Sequence, residues 1–122
     1  MEDLHHTYES LHKEHHAWRM YLIEKRGELA DLTEKVSNHL ENSERKEDAI
    51  ICQELKSRGN LLLLEITNKL NHLTETDGLM SHTKEEHHVV SPDLFLINSR
   101  MRAGILEFDK GCERFIIDVK SL

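Results

Sequence analysis

The sequence predicts an all-α fold, an antiparallel up-down-up bundle of three long helices. Apolar residues recur at alternating spacings of three and four over most of the chain. Only one proline and five glycines occur in 122 residues, and charged residues make up 32% against 5% aromatic residues. This composition is typical of long regular helices rather than of sheets with many turns. A chain of this length is expected to be one domain, 1–122, that folds without a disulfide or a metal.

The first helix is predicted over about residues 3–42. Its seam, the line of residues that faces the other helices, continues for five heptads. At 1.5 Å per residue this corresponds to a helix of roughly 57 Å. The seam consists of Leu4, Tyr8, Leu11, His15, Trp18, Leu22, Lys25, Leu29, Leu32, Val36 and His39.

The first turn is predicted at Asn42 and Ser43, either of which can cap a new helix. Glu44 follows, and its negative charge suits a helix N-terminus. The register of the seam also shifts by two residues here. Continuing the spacing of the first seam forward places its next position at Ser43, whereas continuing the spacing of the second seam backward from Cys52 places it at Arg45. Since neither glycine nor proline lies in this stretch, one continuous helix is the alternative.

The second helix is predicted over about residues 44–77 and contains the most apolar stretch of the chain. The run Leu61–Leu64 adds apolar side chains in four successive directions, so more than one narrow face must be covered. Gly78 is well placed to end the helix as a left-handed residue just past its last turn. The seam consists of Cys52, Leu55, Gly59, Leu62, Ile66, Lys69 and Leu73.

A mobile connection is predicted over about residues 78–90, which are polar and show no sustained period. The third helix is predicted over about residues 92–121. Ser91 suits the cap position, Pro92 the first helical position and Asp93 the first turn. The seam consists of Leu94, Asn98, Met101, Ile105, Phe108, Cys112, Phe115, Val119 and Leu122.

A tight first turn aligns the first two helices so that residue i lies opposite roughly residue 86 minus i. This alignment predicts that Gly59 lies near Gly27. It also predicts that His15 lies near His72. Because the third helix begins at the level of His15, we expect His15 and Asn98 to share one polar layer that sets the register of the bundle.

Three seam residues are expected to be buried although they can ionise. Cys52 and Cys112 are predicted to be reduced cysteines that pack as small hydrophobic side chains. His15 is predicted to be buried as a neutral imidazole, because charging it on an apolar seam costs desolvation. Acid is therefore expected to destabilise the end of the bundle that contains His15.

This topology brings nine of the ten histidines to one end of the bundle. Glu9, His12 and His16 share one helical face at spacings of three and four, a geometry that can present two imidazoles and a carboxylate to Zn, Ni or Fe. With His72 and His88 they form the alternative hypothesis, a transition-metal site. The main expectation is no cofactor, with these residues on a solvated face. The nine are His5, His6, His12, His15, His16, His72, His82, His87 and His88.

Some fragments at this end resemble pieces of di-iron proteins. Glu9-x-x-His12 resembles the Glu-x-x-His pairs of ferritin-like sites. His12-x-x-x-His16 resembles part of the hemerythrin ligand pattern. The resemblance implies a site built from four inward-facing helices with the fragments in a set order, whereas this chain offers three helices and a different order. A di-iron centre is therefore not predicted.

Apolar residues outside the seams predict association with another helical surface. A three-helix bundle does not cover all of them, and an exposed apolar patch usually marks an interface. We expect a homodimer at micromolar concentration, or a larger helical bundle formed with a helical partner. The predicted interface residues are Ile50, Leu61, Leu64, Ile116 and Ile117.

Several classes of function are disfavoured. The net charge of -7 and the absence of a basic stripe argue against nucleic acid as a partner. No apolar run is long enough for a membrane span or a signal peptide, so a soluble cytoplasmic protein is expected. No catalytic motif such as G-x-S-x-G or H-E-x-x-H occurs. The sequence therefore predicts a non-enzymatic protein-protein interaction or self-association module, with a metal-binding bundle as the alternative.

Overall fold

The computed structural model describes residues 8–86 and 90–122, with side chains for 8–81 and 90–122. Three α-helices form it: α1 (Tyr8–Glu41), α2 (Lys46–Glu86) and α3 (Pro92–Lys120). α2 runs antiparallel to α1, and α3 returns parallel to α1, which confirms the predicted all-α up-down-up bundle. A short non-helical turn separates α1 from α2, so the two helices form a hairpin and not one continuous helix.

Residues of the predicted seams form the core. Along most of the bundle the buried side chains belong to one cluster, with Leu22, Leu29, Ile66 and Phe115 fully buried. A second cluster closes the end where α1 begins and consists of Tyr8, Leu11, Met80, Val90 and Leu94. Cys52 and Cys112 are both buried free thiols, as predicted. Burial raises the pKa of the Cys112 thiol to about 11.

The predicted end of the second helix is wrong. α2 continues through Gly78 to Glu86, and Gly78 has no positive φ. A helical glycine costs about 1 kcal/mol, and burial of Met80 against the second cluster offsets that cost. The predicted mobile connection from 78 is therefore helical as far as Glu86, and residues 87–89 lie outside the described residues, as do residues 1–7.

The pairing of α1 with α2 is also displaced from the prediction. Gly59 faces Thr33 instead of Gly27, since a β-carbon added at Gly59 would lie 2.3 Å from Thr33 Oγ1. His15 contacts Asp77 of α2 instead of the predicted His72, which is a displacement in the same direction. Side chains of antiparallel helices point back toward their own N-termini, which shifts facing pairs by about two residues. The turn occupies residues 42–45, so its centre lies half a residue beyond the predicted position and adds about one residue more.

Candidate functional site

A buried polar layer crosses the bundle at the level of His15, which is 1% exposed. Its Nε2 lies 2.6 Å from Asn98 Oδ1 on α3, and its Nδ1 lies 2.7 Å from Asp77 Oδ1 on α2. The ring also stacks on Trp18, with 5.4 Å between the ring centroids. The expected layer of His15 with Asn98 is therefore confirmed, and Asp77 is a third member that the sequence did not predict.

Two ion pairs extend this layer to the surface. Arg19 Nη2 donates to Asp77 Oδ2 at 2.5 Å. On the other side, Asn98 Nδ2 donates to Glu14 Oε1 at 3.0 Å, and Arg102 donates to both oxygens of Glu14 at 2.7 and 2.8 Å. All three helices thus contribute side chains to one continuous hydrogen-bonded network.

The ring nitrogens of His15 face side-chain oxygens of the other two helices. Asn98 donates its amide to Glu14, whose carboxylate only accepts, so the oxygen of Asn98 must face the ring. Asp77 presents a carboxylate oxygen to the other ring nitrogen. Both ring nitrogens therefore face oxygen atoms. The predicted burial of His15 is confirmed, and its neutral charge state stays a prediction.

Asp77 is held in its ionised form. Burial raises the pKa of Asp77, but the hydrogen bonds and charges of His15 and Arg19 outweigh that effect and leave it below the usual value for an aspartate. The carboxylate therefore contributes to stability as an anion, and its contribution depends on pH.

The residues proposed for a metal site lie in separate places. Glu9 and His12 line a groove between α1 and α2 together with Asp77, and His16 is exposed further along α1. His72 is exposed and lines a different groove, between α2 and α3. Within the described part of the chain, no three His, Cys, Asp or Glu side chains form a group that could hold a metal ion. His88 lies outside the described residues, and the metal hypothesis stays a prediction.

The predicted interface residues fall on two outward faces. Ile50, Leu61 and Leu64 of α2 are 60%, 65% and 57% exposed, and all three lie on the side of α2 opposite its buried seam. Ile117 is 63% exposed on the outward side of α3, whereas Ile116 is half-buried. The association of these five residues in one interface stays a prediction.

The outward face of α2 carries a longer feature, which we call the α2 stripe. Ten of its positions recur at spacings of three and four, the same period as the buried seam, and every one is exposed and uncharged. The stripe extends over roughly 46 Å of helix. It consists of Ile50, Gln53, Ser57, Asn60, Leu64, Thr67, Asn71, Thr74, Gly78 and Ser81.

The corresponding outward positions of α1 and α3 are different. On α1, Met20 and Ile23 are exposed between the charged residues Lys13 and Glu34. On α3, the outward positions include the exposed pair Lys110 and Glu113, as well as Lys120. Uncharged outward runs of about five positions also occur on α1, from His16 to Ala30, and on α3, from Pro92 to Leu106. The α2 stripe, with ten positions, is the longest of the three among the described residues. Ile50 and Leu64 of the stripe were predicted as interface residues, whereas its polar members were not. The common sequence signal of the polar members is the lack of charge at a regular spacing.

Comparisons with protein-family models, with curated proteins and with solved structures gave no match. None of the described helices is both long and apolar enough to cross a membrane.

Proposed function

We propose that this chain is a non-enzymatic self-association module in which the α2 stripe packs against another copy of the chain. The observation that supports the proposal most is the stripe itself, ten consecutive outward positions that are exposed and uncharged. The buried centres of protein interfaces are depleted in charged residues in the same way. The proposed homodimer follows from this surface.

The energetics of the stripe support association. Burying a large aliphatic side chain that is more than half exposed contributes about 1–2 kcal/mol, and Ile50, Leu61 and Leu64 each meet that condition. The serine, threonine and asparagine side chains beside them carry no charge, so covering them avoids the desolvation penalty of an ion. Leu61, adjacent to Asn60 in sequence, widens the apolar centre of the stripe.

Sedimentation velocity from about 1 to 100 µM tests the proposal with two matched variants. Leu64→Glu introduces a charge at the centre of the stripe, whereas Leu106→Glu introduces the same charge at an equally exposed leucine on α3. We expect the wild type and Leu106→Glu to sediment as dimers at the higher concentrations. Leu64→Glu should remain monomeric there, with unchanged helicity by circular dichroism.

Two outcomes would contradict the proposal. One is a wild type that stays monomeric at 100 µM. The other is a dimer that Leu64→Glu and Leu106→Glu weaken to the same degree, because the contact surface would then not be the α2 stripe.

A further inference from the structure

We infer that a groove between α2 and α3 binds a small organic carboxylate, with the charge of the ligand on basic side chains at the rim and its apolar group on the floor. The groove has a volume of about 150 Å³. The inference goes beyond the self-association proposed above, because none of the described residues that line the groove belongs to the α2 stripe. The lining consists of Lys69, His72 and Leu73 of α2 and Arg100, Met101, Gly104 and Ile105 of α3.

The rim of the groove is basic, although the chain has a net charge of -7. Lys69, His72 and Arg100 line it, and none of its described lining residues is acidic. Arg100 and His72 are exposed, and within the described part of the chain neither side chain forms a hydrogen bond or an ion pair. Both groups are therefore available to donate hydrogen bonds to an anion.

Lys69 is held inside the groove by its neighbours. Its side chain is 23% exposed, and its Nζ lies 5.8 Å from the centre of the Phe108 ring. A β-carbon added at Gly104 would lie 3.5 Å from the same Nζ, so the ammonium group lies close to a position where α3 has no side chain. Lys69 thus offers a positioned cation, which reduces the side-chain freedom that is lost when an anion binds.

The acids near the groove are bonded to other side chains or exposed to water. Asp77 and Asp109 lie within one turn of lining residues and bond to side chains of α1. The exposed acids within one turn are Glu65, Glu75 and Glu107. Glu65 pairs with Lys69 at 3.5 Å. Because water screens exposed charges, these acids oppose a bound anion less than the rim attracts it in direct contact.

The floor of the groove is apolar. Leu73 and Met101 are buried residues of the core, and Ile105 is half-buried beside them. An apolar cavity of about this volume accommodates one benzene ring. A basic rim above an apolar floor of this size fits a carboxylate that carries a single ring or a short aliphatic chain.

Titration with benzoate, followed by the amide chemical shifts in nuclear magnetic resonance spectra, tests the inference. Benzamide is the matched probe, because it has the same ring and nearly the same shape but no charge. We expect benzoate to shift the amides of Leu73, Gly104 and Ile105 in a saturable way, with a Kd of about 10 mM or lower. Benzamide should bind roughly tenfold more weakly, because hydrogen bonds to a charged group are stronger than those between neutral groups.

Two pairs of variants locate the site. Lys69→Gln removes a charge from the rim and should weaken benzoate binding by roughly tenfold. Lys110→Gln removes the same charge from an exposed lysine outside the groove and should leave binding unchanged. Gly104→Ala places a methyl group in ordinary contact with Lys69 Nζ, so the variant should stay folded and bind benzoate roughly threefold more weakly. Gly27→Ala is its control, because a β-carbon there meets no atom within 4 Å and lies outside the groove.

Three results would overturn the inference. The first is a benzoate titration that shifts none of the groove amides up to about 50 mM. The second is equal affinity for benzoate and benzamide, since the site would then not recognise the charge. The third is equal weakening by Lys69→Gln and Lys110→Gln, which would show a diffuse attraction to the whole surface.

Discussion

At the scale of single residues, His15 connects all three helices. It lies on the α1 seam and contacts Asn98 of α3 and Asp77 of α2, so any slip of one helix along another separates hydrogen-bonded partners. A buried polar group that loses its partner costs about 1–3 kcal/mol, which penalises alternative registers. We therefore regard the layer as the feature that sets the alignment of the bundle.

Replacing His15 tests that role. His15→Leu leaves the oxygen of Asn98 buried without its donor, so we expect the free energy of unfolding to fall by about 1–3 kcal/mol. In the double variant with Asn98→Leu, both partners are apolar and Glu14 keeps its two hydrogen bonds from Arg102. The double variant should therefore lose less stability than the two single losses added together. Chemical denaturation of the four chains measures this, and simple additivity would contradict the coupling.

The lowered pKa of Asp77 predicts a pH dependence with a definite sign. The contribution of the ionised carboxylate is fully present above the unfolded-state pKa of about 3.9 and is lost as pH falls through the lower folded-state value. We expect the wild type to be more stable than Asp77→Asn from pH 7 to about 5, and the difference to shrink as pH approaches 3. A difference in the free energy of unfolding that is constant from pH 7 to 3 would contradict this prediction.

The polar layer could be predicted from the sequence only in part. His15 and Asn98 occupy seam positions, so the period alone places them in the core at one level. Asp77 lies beside the seam, and its contact with His15 depends on the offset between α1 and α2. That offset depends on the geometry of the turn and on side-chain direction, neither of which the apolar period specifies.

At the scale of elements, α1 approaches α2 closely at Gly59. Gly59→Ala would place a methyl group 2.3 Å from Thr33 Oγ1, which donates a hydrogen bond to Leu29 O, and 3.0 Å from the ring of Phe115. Overpacking of this kind costs about 1–3 kcal/mol, more than the gain of about 1 kcal/mol in helix propensity. We expect a lower melting temperature for this variant.

Gly27→Ala is the matched control for this substitution. A β-carbon added at Gly27 meets no atom within 4 Å on an exposed, helical position, so the same change should raise stability by about 0.5–1 kcal/mol. Thermal unfolding of the two variants compares them directly. Equal stabilisation by both would show that the helices do not approach closely at Gly59.

The start of α3 could be predicted in detail, whereas the end of α2 could not. Ser91 Oγ accepts a hydrogen bond from the backbone N–H of Leu94, and Pro92 begins the helix, because both signals act within a few neighbouring residues. Gly78 carries an equally local signal for a helix end, but the packing of Met80 in the second core cluster outweighs it. The continued spacing of Leu73, Thr76 and Met80 was the sequence signal for the longer helix.

At the scale of the whole molecule, the bundle covers its seams but leaves large apolar side chains exposed on every helix. On α1 and α3 these side chains lie in uncharged runs of about five outward positions, which charged residues such as Glu34 and Lys110 interrupt. On α2 they lie in a continuous uncharged line. We propose that a second copy of the chain covers this line in the associated protein.

The most direct test of this proposal measures the solvent exposure of individual leucine methyl groups. Nuclear magnetic resonance with a soluble paramagnetic probe reports that exposure. Spectra recorded well below and well above the dissociation concentration compare Leu61 and Leu64 with Leu106. We predict that the probe broadens all three equally in the dilute sample, and that only Leu106 remains strongly broadened in the concentrated one. If Leu61 and Leu64 stay as accessible as Leu106 at about 500 µM, the α2 stripe is not an interface between copies of this chain.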